Sequence, residues 1–136
     1  MPGFSRCAGR CLAVLNAAVT HSTAQSQCGL LGAHLAVPRS EQENQCALSA
    51  IGDRLVWIGL NDVEADSSFV GADGCESVPS TAPVWASGEP DALDEAHHVV
   101  MVSALSPFPE GWHDNAETML RYPLCQLPAC YQPDCQ

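Results

Sequence analysis

Eight cysteines spread over 136 residues constrain this chain more than any other feature. They are Cys7, Cys11, Cys28, Cys46, Cys75, Cys125, Cys130 and Cys135. An even number of dispersed cysteines in a small chain is typical of a disulfide framework made in an oxidising compartment. No CxxC pair occurs, so a zinc ribbon or a thioredoxin-like motif has little support. We therefore expect a secreted, extracellular protein, although spacing alone leaves on the order of one hundred pairings open.

Length and charge narrow the class of protein further. A chain of 136 residues is one domain's worth, and it contains no apolar run long enough to span a membrane. Its start, MPGFSRC, lacks the apolar core of a signal peptide, so we expect either a chain whose leader has been removed or a cytosolic protein. The net charge is −11, with sixteen acids and five arginines, which disfavours nucleic acids and anionic membranes as partners.

Two segments in the first half are predicted to be helices. Thr20 can cap the first helix, and Gly32 follows its last apolar residue. Ser40 and Glu43 form a capping box for the second helix, which should end at Gly52. The apolar stripes that these helices would bury are Ala24, Cys28 and Leu31 in the first, and Ala47, Leu48 and Ile51 in the second.

The second half of the chain has the character of strands and loops. LVWIGLN (55–61), VVMVS (99–103) and YPLCQL (122–127) are predicted to be buried strands, and a short apolar segment lies at 34–37. Most of the region 62–98 is rich in Gly, Pro, Ser and Asp without periodicity, and loops of this length are usually functional or held by disulfides. The sequence thus predicts an α+β domain with its function on the loops.

The order of the short motifs identifies a resemblance. GAHLAVP (32–38), SEQE (40–43), WIGLND (57–62), GEPD (88–91), W-H-D (112–114) and LC (124–125) follow one another as in a C-type lectin-like domain. The resemblance covers about residues 11–127. It implies two helices, antiparallel strands and a long upper loop in a disulfide-stapled fold. We accordingly divide the chain into an N-terminal segment (1–10), a carbohydrate-recognition domain (11–127) and a cysteine-containing extension (128–136).

The resemblance also implies particular cysteine pairs. It implies a disulfide between Cys28, on the first helix, and Cys125, on the last strand. The second, upper-loop disulfide of the family is missing here, because its two positions fall at His98 and near Glu117. An ion pair between these two residues is one possibility.

Cys46 and Cys75 could provide a different staple, joining the second helix to the loop. The remaining cysteines lie near the two chain ends, which the fold brings together. They either tie the termini to each other or join two chains in a disulfide-linked homo- or heterodimer. The cysteines concerned are Cys7, Cys11, Cys130 and Cys135.

The resemblance implies a sugar site in the upper loop. In calcium-dependent members a Glu/Gln-Pro-Asn/Asp motif, a later acid and a Trp-Asn-Asp motif supply oxygen ligands, which suit this hard cation. The matching residues here are Glu89, Asp91, Glu95 or Asp94, and Asp114. His113 stands where the family has asparagine, and its nitrogen suits zinc or copper better than calcium.

Three interpretations of this site remain open. In the first, Glu89, Asp91, Glu95 and Asp114 hold calcium and the sugar completes its shell. In the second, the same residues and His113 bind the sugar by direct hydrogen bonds without calcium. In the third, the domain is a protein-interaction or structural module without sugar binding. The EPD motif is a hybrid, so it does not predict which sugar is bound.

Catalysis is not expected. The sequence contains no HExxH, no GxSxG and no glycine-rich phosphate loop, and paired cysteines cannot act as nucleophiles. The function predicted is a lectin that recognises terminal sugars, as in innate immunity. A single shallow sugar site binds weakly, so a soluble oligomer would be needed for avidity.

Overall fold

The computed structural model describes residues 4–7, 10–38, 40–61, 68–71, 78–79, 98–107, 110–115 and 118–127. In these ranges lie the helices α1 (His21–Leu30) and α2 (Glu41–Ile51). The strands are β1 (Ser5–Cys7), β2 (Arg10–Val14), β3 (His34–Leu35), β4 (Val56–Asn61), β5 (Ser68–Gly71), β6 (Val78–Pro79), β7 (His98–Val102), β8 (Gly111–Asn115) and β9 (Tyr122–Leu127). No helix of the described ranges has the length and apolar character needed to cross a membrane.

The described ends of the chain meet in the sheet. Strand β9 pairs antiparallel with β2 on one side and with β3, and β1 extends β2 at the edge. A parallel pairing of β9 with β4 joins this part to the antiparallel strands β4, β7 and β8. The predicted α+β fold is confirmed, with this one parallel pair as an addition. Strand β1 and Arg10 lie in the segment before residue 11 and are part of the same sheet.

The central strands are buried on both faces, which produces two cores. On one face, alternate residues such as Ile58, Met101 and Leu124 pack against α2. On the other face, the residues next to them, including Trp57 and Val100, pack with α1. Because side chains alternate along a strand, each central strand contributes residues to both cores. For this reason its sequence is a continuous apolar run.

The helix ends agree with the capping predictions in part. The Ser40 side chain accepts a hydrogen bond from the Glu43 amide at 3.1 Å, as expected for the start of α2. The carboxylate of Glu43 accepts a hydrogen bond from Arg10 of β2 at 3.0 Å, so the start of α2 is also tied to the sheet. Thr20 precedes α1 as predicted but makes no capping bond with its side chain. Gly52 ends α2 with a φ of 63°, which a residue with a Cβ rarely adopts.

The disulfide implied between Cys28 and Cys125 is present. Both residues are fully buried, and the bond joins α1 to β9 across 97 positions of the chain. Cys11 and Cys46 are also disulfide-bonded. Cys75 lies outside the described residues, so its pairing with Cys46 stays a prediction.

The three long apolar runs are confirmed as strands β4, β7 and β9, and the segment 34–37 begins with β3. The residue pattern did not predict the other strands. Strands β2 and β8, RCLAV and GWHDN, mix apolar and polar residues without a clear alternation, so the pattern gave no strand signal. Their pairing with buried neighbours makes them strands.

Candidate functional site

The structure describes one part of the predicted sugar site. His113 and Asp114 lie on β8, paired with the buried strand β7. Glu89, Asp91 and Glu95 lie outside the described residues, and so does Asp94. The structure therefore places the W-H-D motif in the fold, while the arrangement of the acids around it stays a prediction.

Trp112, the first residue of the motif, anchors β8 to the interior. Its side chain is 1% exposed and lies opposite Met101 of β7. Its indole nitrogen donates a buried hydrogen bond to the Asn44 side-chain oxygen of α2 at 2.9 Å. A buried donor and acceptor that satisfy each other fix the orientation of both side chains, because separating them would leave both unpaired. This bond holds the motif strand against α2.

His113 follows on the opposite face of β8. It lies opposite Val100, whose side chain belongs to the core on the α1 side, and it is half-buried. The backbone of Asp114 is in register with Val99. The imidazole of His113 thus stands on the side of the strand away from Trp112.

A histidine contact that the sequence did not predict lies on the same face. The ring of His98, the first residue of β7, stacks on the ring of His21, the first residue of α1, with centroids 3.7 Å apart and an angle of 19°. The Trp57 ring meets His21 edge-on at 5.3 Å. Nothing in the local sequence links these three positions, since only the packing of α1 on the sheet brings them together. The predicted partner of His98, Glu117, is outside the described residues.

The environment of His21 disfavours its charged form. The side chain is 7% exposed. Burial, and secondarily the charge of His98, lower the pKa of His21 from 6.5 to about 4. His21 is therefore neutral at pH values where an exposed histidine would already carry a proton.

The described part of the chain holds no complete metal site. Within it, no group of three or more His, Cys, Asp or Glu side chains could hold a metal ion. Three of the four predicted calcium ligands are outside that part. The described motif carries the nitrogen of His113 where a calcium site would use an oxygen, so His113 itself does not fit calcium.

The two helices pack on opposite faces of the sheet, and a disulfide joins α1 to β9. This arrangement agrees with a C-type lectin-like domain. Residues 17–127 match the family model of the lectin C-type domain. The chain belongs to this family. Its domains are non-enzymatic carbohydrate-binding or interaction modules, and the chain is not an enzyme.

Similar proteins agree with this assignment. Collectin-11 of Bos taurus is 36% identical over 108 residues, which cover 76% of this chain and 38% of that protein. The C-type lectin domain of murine dendritic cell inhibitory receptor 2, solved with an N-glycan, has a TM-score of 0.81 at 22% identity, covering 93% of this chain and 97% of that one. A calcium-independent type II antifreeze protein has a TM-score of 0.78 at 22% identity, covering 93% and 92%. The likeness to these two structures shows the fold alone.

The chain spans only part of its curated relatives. It covers 38% of the length of collectin-11 and 31% of the C-type lectin domain family 4 member M of Nomascus concolor, to which it is 27% identical. The match is thus to one domain of longer proteins.

Proposed function

We propose that this domain binds carbohydrate through the acids of the segment 89–95 together with His113 and Asp114. The observation that supports the proposal most is the anchoring of β8 by Trp112 and Asn44. A weak, shallow sugar site needs groups that are held in place before binding, because ordering them on binding would cost affinity. The W-H-D strand meets this requirement.

The pairing of β7 with β8 gives a second argument. His98 lies opposite Asn115, the residue after Asp114. Glu95 is three positions before His98 in the chain, and three residues span at most ~10 Å. The chain connection therefore allows Glu95 to act together with the residues at this end of β8, which supports the proposed combination of the acids with the W-H-D motif.

The site can act with calcium or without it. With calcium, the carboxylates of Glu89, Asp91, Glu95 and Asp114 would be the ligands, and His113 would contact the sugar instead of the ion. Without calcium, the carboxylates would accept hydrogen bonds from sugar hydroxyls, and His113 would donate or accept one. The nitrogen of His113 favours the second form, and the number of carboxylates favours the first.

Retention on immobilised monosaccharides, measured in calcium and again in EDTA, tests the proposal. Release by EDTA would identify a calcium site, and retention in EDTA would identify direct sugar binding. The variant Asp91→Ala should abolish binding in the first case and weaken it in the second. Asp53→Ala is the matched control, because Asp53 is an exposed acid just after α2.

Two outcomes would count against the proposal. If Asp91→Ala kept full affinity, the sugar would bind elsewhere on the domain. If no sugar retained the protein in either buffer, the domain would be a protein-interaction module, the alternative that the family also allows.

We further propose that the protein is secreted and forms oligomers. The disulfide of Cys28 with Cys125 and the bonded state of Cys11 and Cys46 support an oxidising compartment. Electrophoresis of the purified protein with and without reductant tests for a disulfide-linked dimer. A single monomer band without reductant would exclude the covalent dimer.

A further inference from the structure

The histidine stack, His21 with His98, joins two elements that are remote in sequence. His21 is the first residue of α1, and His98 is the first residue of β7. Trp57 of β4 closes one side, edge-on to both rings, with centroids at 5.3 Å from His21 and 6.4 Å from His98. Two nearly parallel rings 3.7 Å apart are in direct contact. The contact requires at least one ring to be neutral, because two cations at this distance repel each other strongly.

The surroundings give a positive charge on His21 little support. The first turn of α1 contains no acidic residue, and the N-terminal end of a helix itself disfavours a cation. The elements that pack against α1 or pair beside its start also carry titratable or charged groups. Those described are His34 on β3, Arg121 and Tyr122 at the start of β9, and His98 on β7. None of these groups is an acid.

The stack lies at the start of β7, directly after the segment that carries three of the predicted site residues. The segment 80–97, which carries Glu89, Asp91 and Glu95, is followed directly by His98. His98 is also in register with Asn115 at the end of β8. The stack thus fixes the point at which this segment enters the sheet, at the position where the family places the first cysteine of its upper-loop disulfide.

We propose that the histidine stack is an acid-sensitive clamp, which holds the start of β7 against α1 at neutral pH and releases it when His21 is protonated. That the clamp also governs ligand binding rests on the proposed function, because the acids proposed to bind sugar, Glu89, Asp91 and Glu95, come shortly before His98 in the chain. A disulfide at this position would be insensitive to pH. Two stacked imidazoles are sensitive to it in the range that histidines titrate.

The sign of the effect follows from the two states of His21. Its pKa is lower in the folded protein than in the unfolded chain, so the unfolded chain binds the proton more readily. The stabilisation is complete above the unfolded value of 6.5 and is lost as the pH falls towards the folded value of about 4. From these two values, the equilibrium constant for unfolding should rise roughly 25-fold between pH 7.5 and pH 5.0.

Urea unfolding across this pH range tests the clamp in three proteins. The variant His21→Phe keeps an aromatic ring in the stack but cannot be protonated. Its equilibrium constant for unfolding should therefore rise less than that of the wild type on acidification, by roughly 25-fold to within a factor of two. The variant His34→Asn removes a half-buried histidine outside the stack and should behave as the wild type. An equal pH dependence in His21→Phe and in the wild type would overturn the proposal.

A second measurement uses the unmodified protein and needs no variant to fold. In a proton NMR titration, the ring C2 proton of His21 and the backbone amides at the start of β7 should shift with one common midpoint, well below that of an exposed histidine. A midpoint of His21 at the ordinary value, or β7 amides that do not follow it, would contradict the clamp. No sugar is present in either experiment, so these results stand apart from the test of carbohydrate binding.

Discussion

The hydrogen bond from Trp112 to Asn44 should be a measurable part of the stability, and a double-mutant cycle isolates it. Trp112 is 1% exposed and Asn44 is 7% exposed, so neither group can turn to water when its partner is lost. Trp112→Phe leaves the Asn44 oxygen unpaired, at about 1–3 kcal/mol, and the smaller ring leaves a cavity that adds about 1 kcal/mol. Asn44→Leu removes the acceptor of the indole and should cost about 1–3 kcal/mol.

The double variant removes both polar partners at once, so no buried group is orphaned by the second change. Its loss of unfolding free energy should be smaller than the sum of the single losses by at least about 1 kcal/mol. Urea unfolding followed by far-ultraviolet circular dichroism measures all four proteins without depending on the tryptophan signal. Gln45→Ala, an exposed change on the same helix, is the control and should shift the stability by no more than about 0.5 kcal/mol.

Additive losses, within about 0.5 kcal/mol, would refute this reasoning, because they would mean that the two side chains do not depend on each other. The anchoring of the W-H-D strand to α2 would then have to come from apolar packing alone. The argument for a preorganised sugar site would then lose the hydrogen bond on which it rests.

Two further predictions concern the disulfide and the glycines. Replacing Cys28 and Cys125 together by Ala should lower the unfolding free energy by up to ~4–5 kcal/mol, because the bond closes a 97-residue segment of chain, and an unchanged urea midpoint would contradict this. Gly52→Ala should destabilise by about 1–3 kcal/mol because its φ of 63° and ψ of −132° strain any side chain. Gly29→Ala, inside α1 with nothing within 4 Å of the added carbon, should instead stabilise by up to ~1 kcal/mol. Thermal unfolding midpoints that shifted in the same direction in both glycine variants would count against the backbone argument.

Some features of this protein were determined by the sequence alone. The capping serine, Ser40, the closing glycine, Gly52, and the long apolar runs are local signals, since each depends on residues within one or two turns or on the period of one strand. The motifs from GAHLAVP to LC identified the family and, through it, the pairing of Cys28 with Cys125. Family motifs succeed here because they encode long-range arrangement that composition and spacing do not contain.

Other features were decided only by the tertiary structure. The carboxylate of Glu43 bonds to Arg10, a contact that the sequence did not predict, because β2 passes close to the start of α2 only in the folded domain. Strand β8 has no strand pattern of its own and is extended because β7 offers it a row of backbone partners. The meeting of His21 with His98 depends on how a helix lies across a sheet. Contacts between distant segments depend on the position of every element at once, and for this reason no local stretch of sequence could reveal them.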